Sequence, residues 1–288
     1  MPQKDFNPDK IKALVLDLDG TLLRPDKTLS GRNLCALQSC MKKDIQIILA
    51  TGRSVGSAEK YRKQINTQGP HIYYNGAEVI DISTGKMIHA RYIDPRPILF
   101  CVRLARQMGH FFQVYFPEDA AGHSHKNGQT FGEILMAERK TVEAERYEKS
   151  SGIEIITGDL EEHLNQVNAV IKGMFITTQE NHEKIRSLLT EQFGESIYIV
   201  QSTPIFLEVL AKGVSKGSGL KHALDYLRIN KENTIAFGDE ENDLPMFEVA
   251  GFSAAPANAK ETIRKAALFQ IPAEAEDGVA VFLEKHFG

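Results

Sequence analysis

Apolar residues occur along this chain in short runs, and several of the runs stop at polar clusters. Ala13-Leu14-Val15-Leu16 breaks off into Asp17-Leu18-Asp19-Gly20-Thr21. Ile45-Gln46-Ile47-Ile48-Leu49 ends in Ala50-Thr51-Gly52-Arg53. His71-Ile72-Tyr73-Tyr74 ends in Asn75-Gly76, and Thr234-Ile235-Ala236-Phe237 ends in Gly238-Asp239-Glu240-Glu241-Asn242-Asp243. Short aliphatic runs of this kind predict buried parallel strands. Between them the spacing turns helical. Over 30–43, Leu34, Leu37 and Met41 share a face behind a candidate N-cap, Ser30. Residues 54–65, 244–250 and 278–285 also read as helices, and 216–228 aligns Leu220, Leu224 and Leu227. The strand–helix–strand alternation predicts an α/β fold, a doubly wound (Rossmann-like) parallel sheet.

The rhythm changes near residue 77. Residues 78–82 and 86–92, around Ser83-Thr84-Gly85, read as a hairpin. Pro95 and Pro97 open a helix reaching about Met108, followed by a strand over 111–116. Residues 117–130 are loop-like, and the charged stretch 131–148 reads as a helix with a solvated face. A strand over 167–177, a helix over 179–193 and a hairpin of 197–201 with 205–210 complete the segment. Residues 84–209 are therefore expected to form an inserted α+β domain, with 1–83 and 210–288 folding together as one core.

The polar endings carry the chemistry. Two carboxylates at the end of a buried strand repel and lose solvation, and a divalent cation between them would relieve both costs. In Asp-x-Asp, alternate side chains of an extended segment point the same way. Asp17 and Asp19 can then share a pocket, one as nucleophile and the other as proton donor and acceptor. A solvated Asp-Gly turn is the plainer alternative. Three such endings, Asp17/Asp19, Thr51/Gly52/Arg53 and Asp239/Asn242/Asp243, would meet on one edge of a parallel sheet, where ligands of open α/β sheets bind. Lys216, at a predicted helix start, is either an exposed lysine or one whose charge a bound phosphate there would offset. GVSKGSG lacks P-loop spacing. His123-Ser124-His125 reads as a solvated loop pair that touches substrate rather than a metal site.

The motifs together resemble the haloacid dehalogenase superfamily of phosphotransferases, in its Cof-type branch. The resemblance rests on DLDGT at 17–21, Thr51-Gly52-Arg53, Lys216 and GDEEND at 238–243, with Asn75-Gly76-Ala77 and Asp277-Gly278-Val279 as further landmarks. It implies that Asp17 is a nucleophile forming an aspartyl-phosphate and Asp19 the general acid/base. It implies a Mg²⁺ ion held by the carboxylates of Asp17 and Asp239 and the backbone carbonyl of Asp19. Leu18, Thr51, Gly52, Lys216 and Asn242 would bind the phosphate, with Asp243 and Arg53 in support. The insert would be a C2-type cap that closes over the core and selects the leaving group. One departure is Ala254-Ala255-Pro256-Ala257-Asn258-Ala259, where the family's usual Ala-Met-Gly-Asn-Ala is replaced and Pro256 stiffens the turn.

Composition narrows the setting. The 288 residues are 42% hydrophobic and 25% charged, enough for a sizeable core, and 34 basic against 38 acidic residues give −4. That balance suggests no nucleic-acid binder. Three cysteines without metal spacing, and no apolar signal core or membrane-spanning run, suggest a cytoplasmic protein. The expected function is a Mg²⁺-dependent phosphomonoesterase acting on a small phosphorylated metabolite such as a sugar phosphate, with no nucleic-acid, membrane or protein partner. The alternatives are a phosphomutase of the same superfamily and a catalytically silent phospho-ligand-binding regulator.

Overall fold

A computed structural model describes residues 6–117 and 133–288. The His123/His125 pair lies outside the described residues. Along the chain, β1 (Ala13–Leu16) leads to α1 (Gly31–Met41), β2 (Gln46–Leu49), α2 (Val55–Ile65) and β3 (Pro70–Tyr73). β4 (Glu78–Asp81) and β5 (Lys86–Ala90) follow. Next come α3 (Pro95–Met108), β6 (Phe111–Pro117), β7 (Glu133–Ala137), α4 (Val142–Ser151), β8 (Ile156–Thr157) and α5 (Leu160–Leu164). β9 (Lys172–Ile176), α6 (Gln179–Phe193), β10 (Ile197–Thr203) and β11 (Phe206–Ala211) complete the middle of the chain. The last part is α7 (Lys216–Leu227), β12 (Thr234–Phe237), α8 (Leu244–Val249), β13 (Phe252–Pro256), α9 (Glu261–Ala266), β14 (Phe269–Ile271) and α10 (Gly278–Phe287).

Two compact units emerge. One comprises residues up to Gly52, Lys60–His89 and Ser215–Gly288; the other comprises Arg53–Glu59 and Ala90–Val214. The first is built on a parallel five-stranded sheet in the order β14-β13-β12-β1-β2. β1 is buried at every position, as its unbroken apolar run requires. Ala13, Val15, Ile48 and Ala236 pack on one face with Leu220, Ala223 and Leu224 of α7 and Met246 of α8. On the other face α1 lies against α10, and the rings of Phe237 and Phe282 meet edge to face at 5.5 Å. Helices on both faces of a parallel sheet make the predicted doubly wound α/β core. Ser30 caps α1 as expected, accepting from the Asn33 N–H at 3.0 Å. The buried face of α1 runs through Asn33, Ala36, Leu37 and Cys40. Asn33 is polar there because it donates to the Leu22 carbonyl and accepts from the Ala280 N–H.

The third strand departs from the expected rhythm. β3 meets the main sheet through a single bridge, Ala50 to Ile72, and otherwise forms a separate sheet in the order β3-β4-β5. Tyr74, Asn75 and Gly76 all take positive φ (49°, 57° and 99°), which reverses the chain so that β4 runs back antiparallel to β3.

The second unit is an α+β arrangement on a six-stranded sheet, β10-β11-β9-β6-β7-β8, antiparallel except between β7 and β8. The predicted charged helix over 131–148 is corrected here. Its first part is β7, where Leu135 and Ala137 are buried and Leu135 stands opposite Tyr115 of β6. The apolar run Ile134-Leu135-Met136-Ala137 outweighs the flanking charges. The helix begins only after Thr141, which caps α4, and it stops at left-handed Gly152. No helix among the described residues is long and apolar enough to cross a membrane.

Candidate active site

The ends of β1 and β12 lie side by side, because Leu16 is in register with Phe237 and the Asp17 N–H donates to the Phe237 carbonyl at 3.0 Å. Asp17 and Asp239 therefore leave the sheet at neighbouring points of its carboxyl edge. Lys216, the first residue of α7, comes to the same place. A reciprocal capping box between Ser215 and Ser218 fixes that helix start. Its buried ammonium lies 2.5 Å from Asp17 Oδ1 and 2.6 Å from Asp243 Oδ1. The other oxygen of Asp243 accepts the N–H groups of Asp239 (2.8 Å) and Glu240 (3.0 Å), which locks the turn after β12. The Thr21 hydroxyl donates to Asp239 Oδ1 at 2.7 Å. Gly20 has φ +89°, and a Cβ there would stand 2.3 Å from Asp239 Oδ2, so the close approach of the two loops needs glycine.

Asp17, Asp239 and Asp243 are all buried, and each offers a carboxylate oxygen within 4.8 Å of the others. Lys216 thus meets two of these three carboxylates directly, with Asp239 alongside. Burial, partly offset by Lys216, pushes Asp17 up to about 7. Burial, then the charges of Asp17 and Asp243, push Asp239 up to about 9. Burial works against the Lys216 ammonium, yet the two carboxylates outweigh it and hold its pKa above the ordinary value. An all-oxygen, buried set of carboxylates, whose ionised forms outnumber the ammonium, fits a hard divalent cation. The expected ligand set named Asp17, the Asp19 carbonyl and Asp239. The carboxylates brought together are Asp17, Asp239 and Asp243, while the Asp19 side chain, less buried, pairs with Lys27 at 2.9 Å.

The remaining expected residues fall as follows. Thr51 is buried at the end of β2; its N–H donates to the Ile72 carbonyl and its own carbonyl accepts the Asn75 N–H, both at 2.9 Å. Leu18 is buried, and its carbonyl accepts the N–H groups of Leu22 and Leu23. Asn242 is buried and donates to Asn75 Oδ1 at 2.8 Å. Gly52 closes the first segment of the first unit, and Arg53, half-buried, begins the second unit. At the departure from the family pattern, Pro256 ends β13 beyond its pairing with β12, where no N–H is needed. Asn258 then donates to the Gly20 carbonyl at 2.8 Å.

Residue-by-residue reading missed Thr21, Lys27 and Asn258 and gave Asn75 no role. Thr21, Asn75 and Asn258 sit inside noted stretches, so their position was visible and their partners were not. Lys27 carries no signal in one sequence, because its partner is set by a left-handed turn at φ 62°.

This parallel-sheet core with acidic strand ends belongs to a hydrolase: residues 14–283 match the model of haloacid dehalogenase-like hydrolases, and the chain belongs to that family. It is an enzyme of the phosphatase type. The chain is 29% identical to the 5-amino-6-(5-phospho-D-ribitylamino)uracil phosphatase YitU of Bacillus subtilis, over 95% of this chain and 97% of that protein. It is 28% identical to the pyridoxal phosphate phosphatase YbhA of Escherichia coli, over 96% and 98%. A haloacid dehalogenase-like hydrolase from Bacteroides thetaiotaomicron superposes with a TM-score of 0.79 at 25% identity, covering 96% of this chain and 99% of that one.

Proposed function

We propose that this chain is a Mg²⁺-dependent phosphomonoesterase for a small organic phosphate, working through an aspartyl-phosphate on Asp17 in the cytoplasm. One observation carries the reading: a buried Asp17 touches Lys216 and belongs to a cluster with two more carboxylates than the ammonium can balance. The Asp17 and Asp239 carboxylates and the Asp19 carbonyl would hold Mg²⁺, with Asp243 adjacent, and the bound ion supplies neutralisation of phosphate charge. The Asp17 carboxylate attacks phosphorus while Asp19 gives its proton to the departing alkoxide. Asp19 then takes a proton from the water that attacks the phosphoryl group, inorganic phosphate leaves, and Asp17 is restored. Lys216, Thr51, Asn242 and the backbone at Leu18 and Gly52 bind the phosphate oxygens, with Asp243 orienting Lys216 and Arg53 in support.

Residues 84–209, within which most of the second compact unit falls, serve as a C2-type cap that selects the leaving group. The named relatives act on two different small phosphorylated compounds, which supports a small phosphomonoester as the substrate class. The test is a screen of phosphorylated metabolites for phosphate release, with chelator and with Mg²⁺ restored. Rapid mixing of Asp19→Asn should give a burst of nitrophenolate from p-nitrophenyl phosphate and far slower phosphoenzyme formation from a sugar phosphate. Full activity in excess chelator removes the metal role. Equal slowing of the chemical step with both leaving groups removes the role of Asp19.

A further inference from the structure

The turn at Tyr74-Asn75-Gly76 holds three successive left-handed residues, and two of them are not glycine. Such backbone is costly and persists where its surroundings over-determine it. Here the surroundings are the three segments that build the site. The Asn75 N–H donates to the Thr51 carbonyl at 2.9 Å. The Asn75 side chain, fully buried, accepts from Asn242 at 2.8 Å. Gly76 lies against the Ser215 carbonyl, one residue before Lys216, so closely that a Cβ would stand 2.0 Å from it. The remaining amide atom of Asn242, its buried Oδ1, has no partner among the described residues. Asn75 is thus the group that fixes how the Asn242 amide is presented.

We propose that Asn75 is a positioning residue of the phosphate site. Through its N–H and its side chain it ties the Thr51 strand end to Asn242, so that the two present their polar groups to one phosphate. The inference rests on the phosphatase reading above. Asn75 touches no reacting atom; it acts through Asn242 and Thr51.

The experiment is a double-mutant cycle read by phosphate affinity. Asn75→Gly keeps the left-handed backbone and its N–H to Thr51 and deletes the side chain. Binding of inorganic phosphate to the Mg²⁺-supplemented protein is measured by calorimetry for wild type, Asn75→Gly, Asn242→Ala and the double variant. Circular dichroism and Tm serve as folding checks. Asn75→Gly should weaken phosphate by about tenfold, the effect of one hydrogen bond's worth of positioning. The double variant should bind no more weakly than Asn242→Ala alone. If Asn75→Gly does not fold, Asn75→Ser, too short to hold the Asn242 contact, carries the same cycle. Wild-type affinity in the Asn75 variant, or losses that multiply in the double variant, overturn the proposal while leaving the phosphatase reading intact. A wild-type protein that neither binds phosphate nor hydrolyses a phosphomonoester overturns both.

Discussion

Two lysines are buried to the same depth, Lys216 in the first unit and Lys172 in the second, and they differ in the charge around them. Lys172 on β9 meets Glu208 on β11 at 2.6 Å, a cation directly against an anion. The Ser202 hydroxyl donates to the other oxygen of Glu208, and the Lys172 ammonium lies 4.7 Å from the centre of the Tyr115 ring. Lys216 faces Asp17 and Asp243 directly, with Asp239 alongside, and it is not balanced. A neutral buried pair has the form of a structural element, whereas a surplus of buried carboxylates has the form of a site awaiting a cation and a ligand. Burial of charged residues alone would have marked both places equally.

The largest expected effect separates the two by function. Asp17→Asn should abolish turnover of every phosphoester, a fall on the order of 10⁴-fold or more, because no acyl-phosphate can form. Acid quenching should find no covalent phosphate in the variant, and its metal-free fold should be at least as stable as the wild type near neutral pH. Residual turnover with trapped covalent phosphate would move the nucleophile elsewhere.

Next comes the Lys172–Glu208 pair. Lys172→Met leaves Glu208 buried without its cation and should lower unfolding free energy by about 3–5 kcal/mol. Adding Glu208→Leu should recover most of that loss, and denaturant midpoints for the three variants give the measurement. If the single variant matches wild type, Glu208 has another source of compensation and the contrast with Lys216 weakens.

Much of the Lys216 side of this contrast is legible in the sequence. Asp17, Thr51, Lys216 and Asp239 stood at the ends of apolar runs or at a helix start, and strand ends converge in a parallel sheet for reasons that hold in any sequence. Asp243 fell within the same motif. What was not legible depends on partners far apart in the chain. Asn75 with Asn242 and Lys172 with Glu208 pair only once the sheets have formed. The stretch 131–148 misled because its charges fit a solvated helix, while four apolar residues at its start pair with β6, and that pairing decided the outcome. The third strand was found and its sheet was not, because three positive-φ residues in succession leave no pattern in hydrophobicity.

A smaller effect, with an unusual sign, sharpens the unbalanced half. Asp239 has a folded-state pKa of about 9 against 3.8 unfolded, and Asp17 about 7 against 3.8. Between these limits the folded chain holds more protons than the unfolded one. Stability of the metal-free protein should therefore fall as pH rises from about 4, through 7 for Asp17 and on to 9 for Asp239. Asp239→Asn keeps an acceptor for Thr21 and removes the charge. It should raise metal-free stability at pH 8 by about 1–3 kcal/mol while eliminating Mg²⁺-dependent activity. Mg²⁺ should stabilise the wild type and leave the variant nearly unmoved. Urea titrations at pH 5 and 8, with and without Mg²⁺, decide it. A variant less stable than wild type at pH 8 would show that Asp239 is not an uncompensated charge.

The least expected effect concerns a third way of keeping a buried carboxylate, with neutral donors in place of a cation. Asp81, at the end of β4, accepts the Ser83 N–H at 2.9 Å, the Ser83 hydroxyl at 2.5 Å and the Tyr226 hydroxyl at 2.8 Å. Burial acts to raise its pKa, but the donors of Ser83, Tyr226 and Thr84 outweigh it and bring it down to about 2. A depressed carboxylate contributes stability above its unfolded value near 3.8, and the contribution is lost as pH falls through 2. Tyr226→Phe removes one donor and should cost about 1 kcal/mol at pH 7, shrinking below pH 3 as the carboxylate protonates. The Asp81 pKa, followed by carboxyl NMR, should rise in the variant, and phosphatase kinetics should not change. An unmoved pKa would mean that Tyr226 contributes nothing to holding the charge. Ser83, with Thr84 beside it, would then suffice, and the turn alone would stabilise the carboxylate without help from α7.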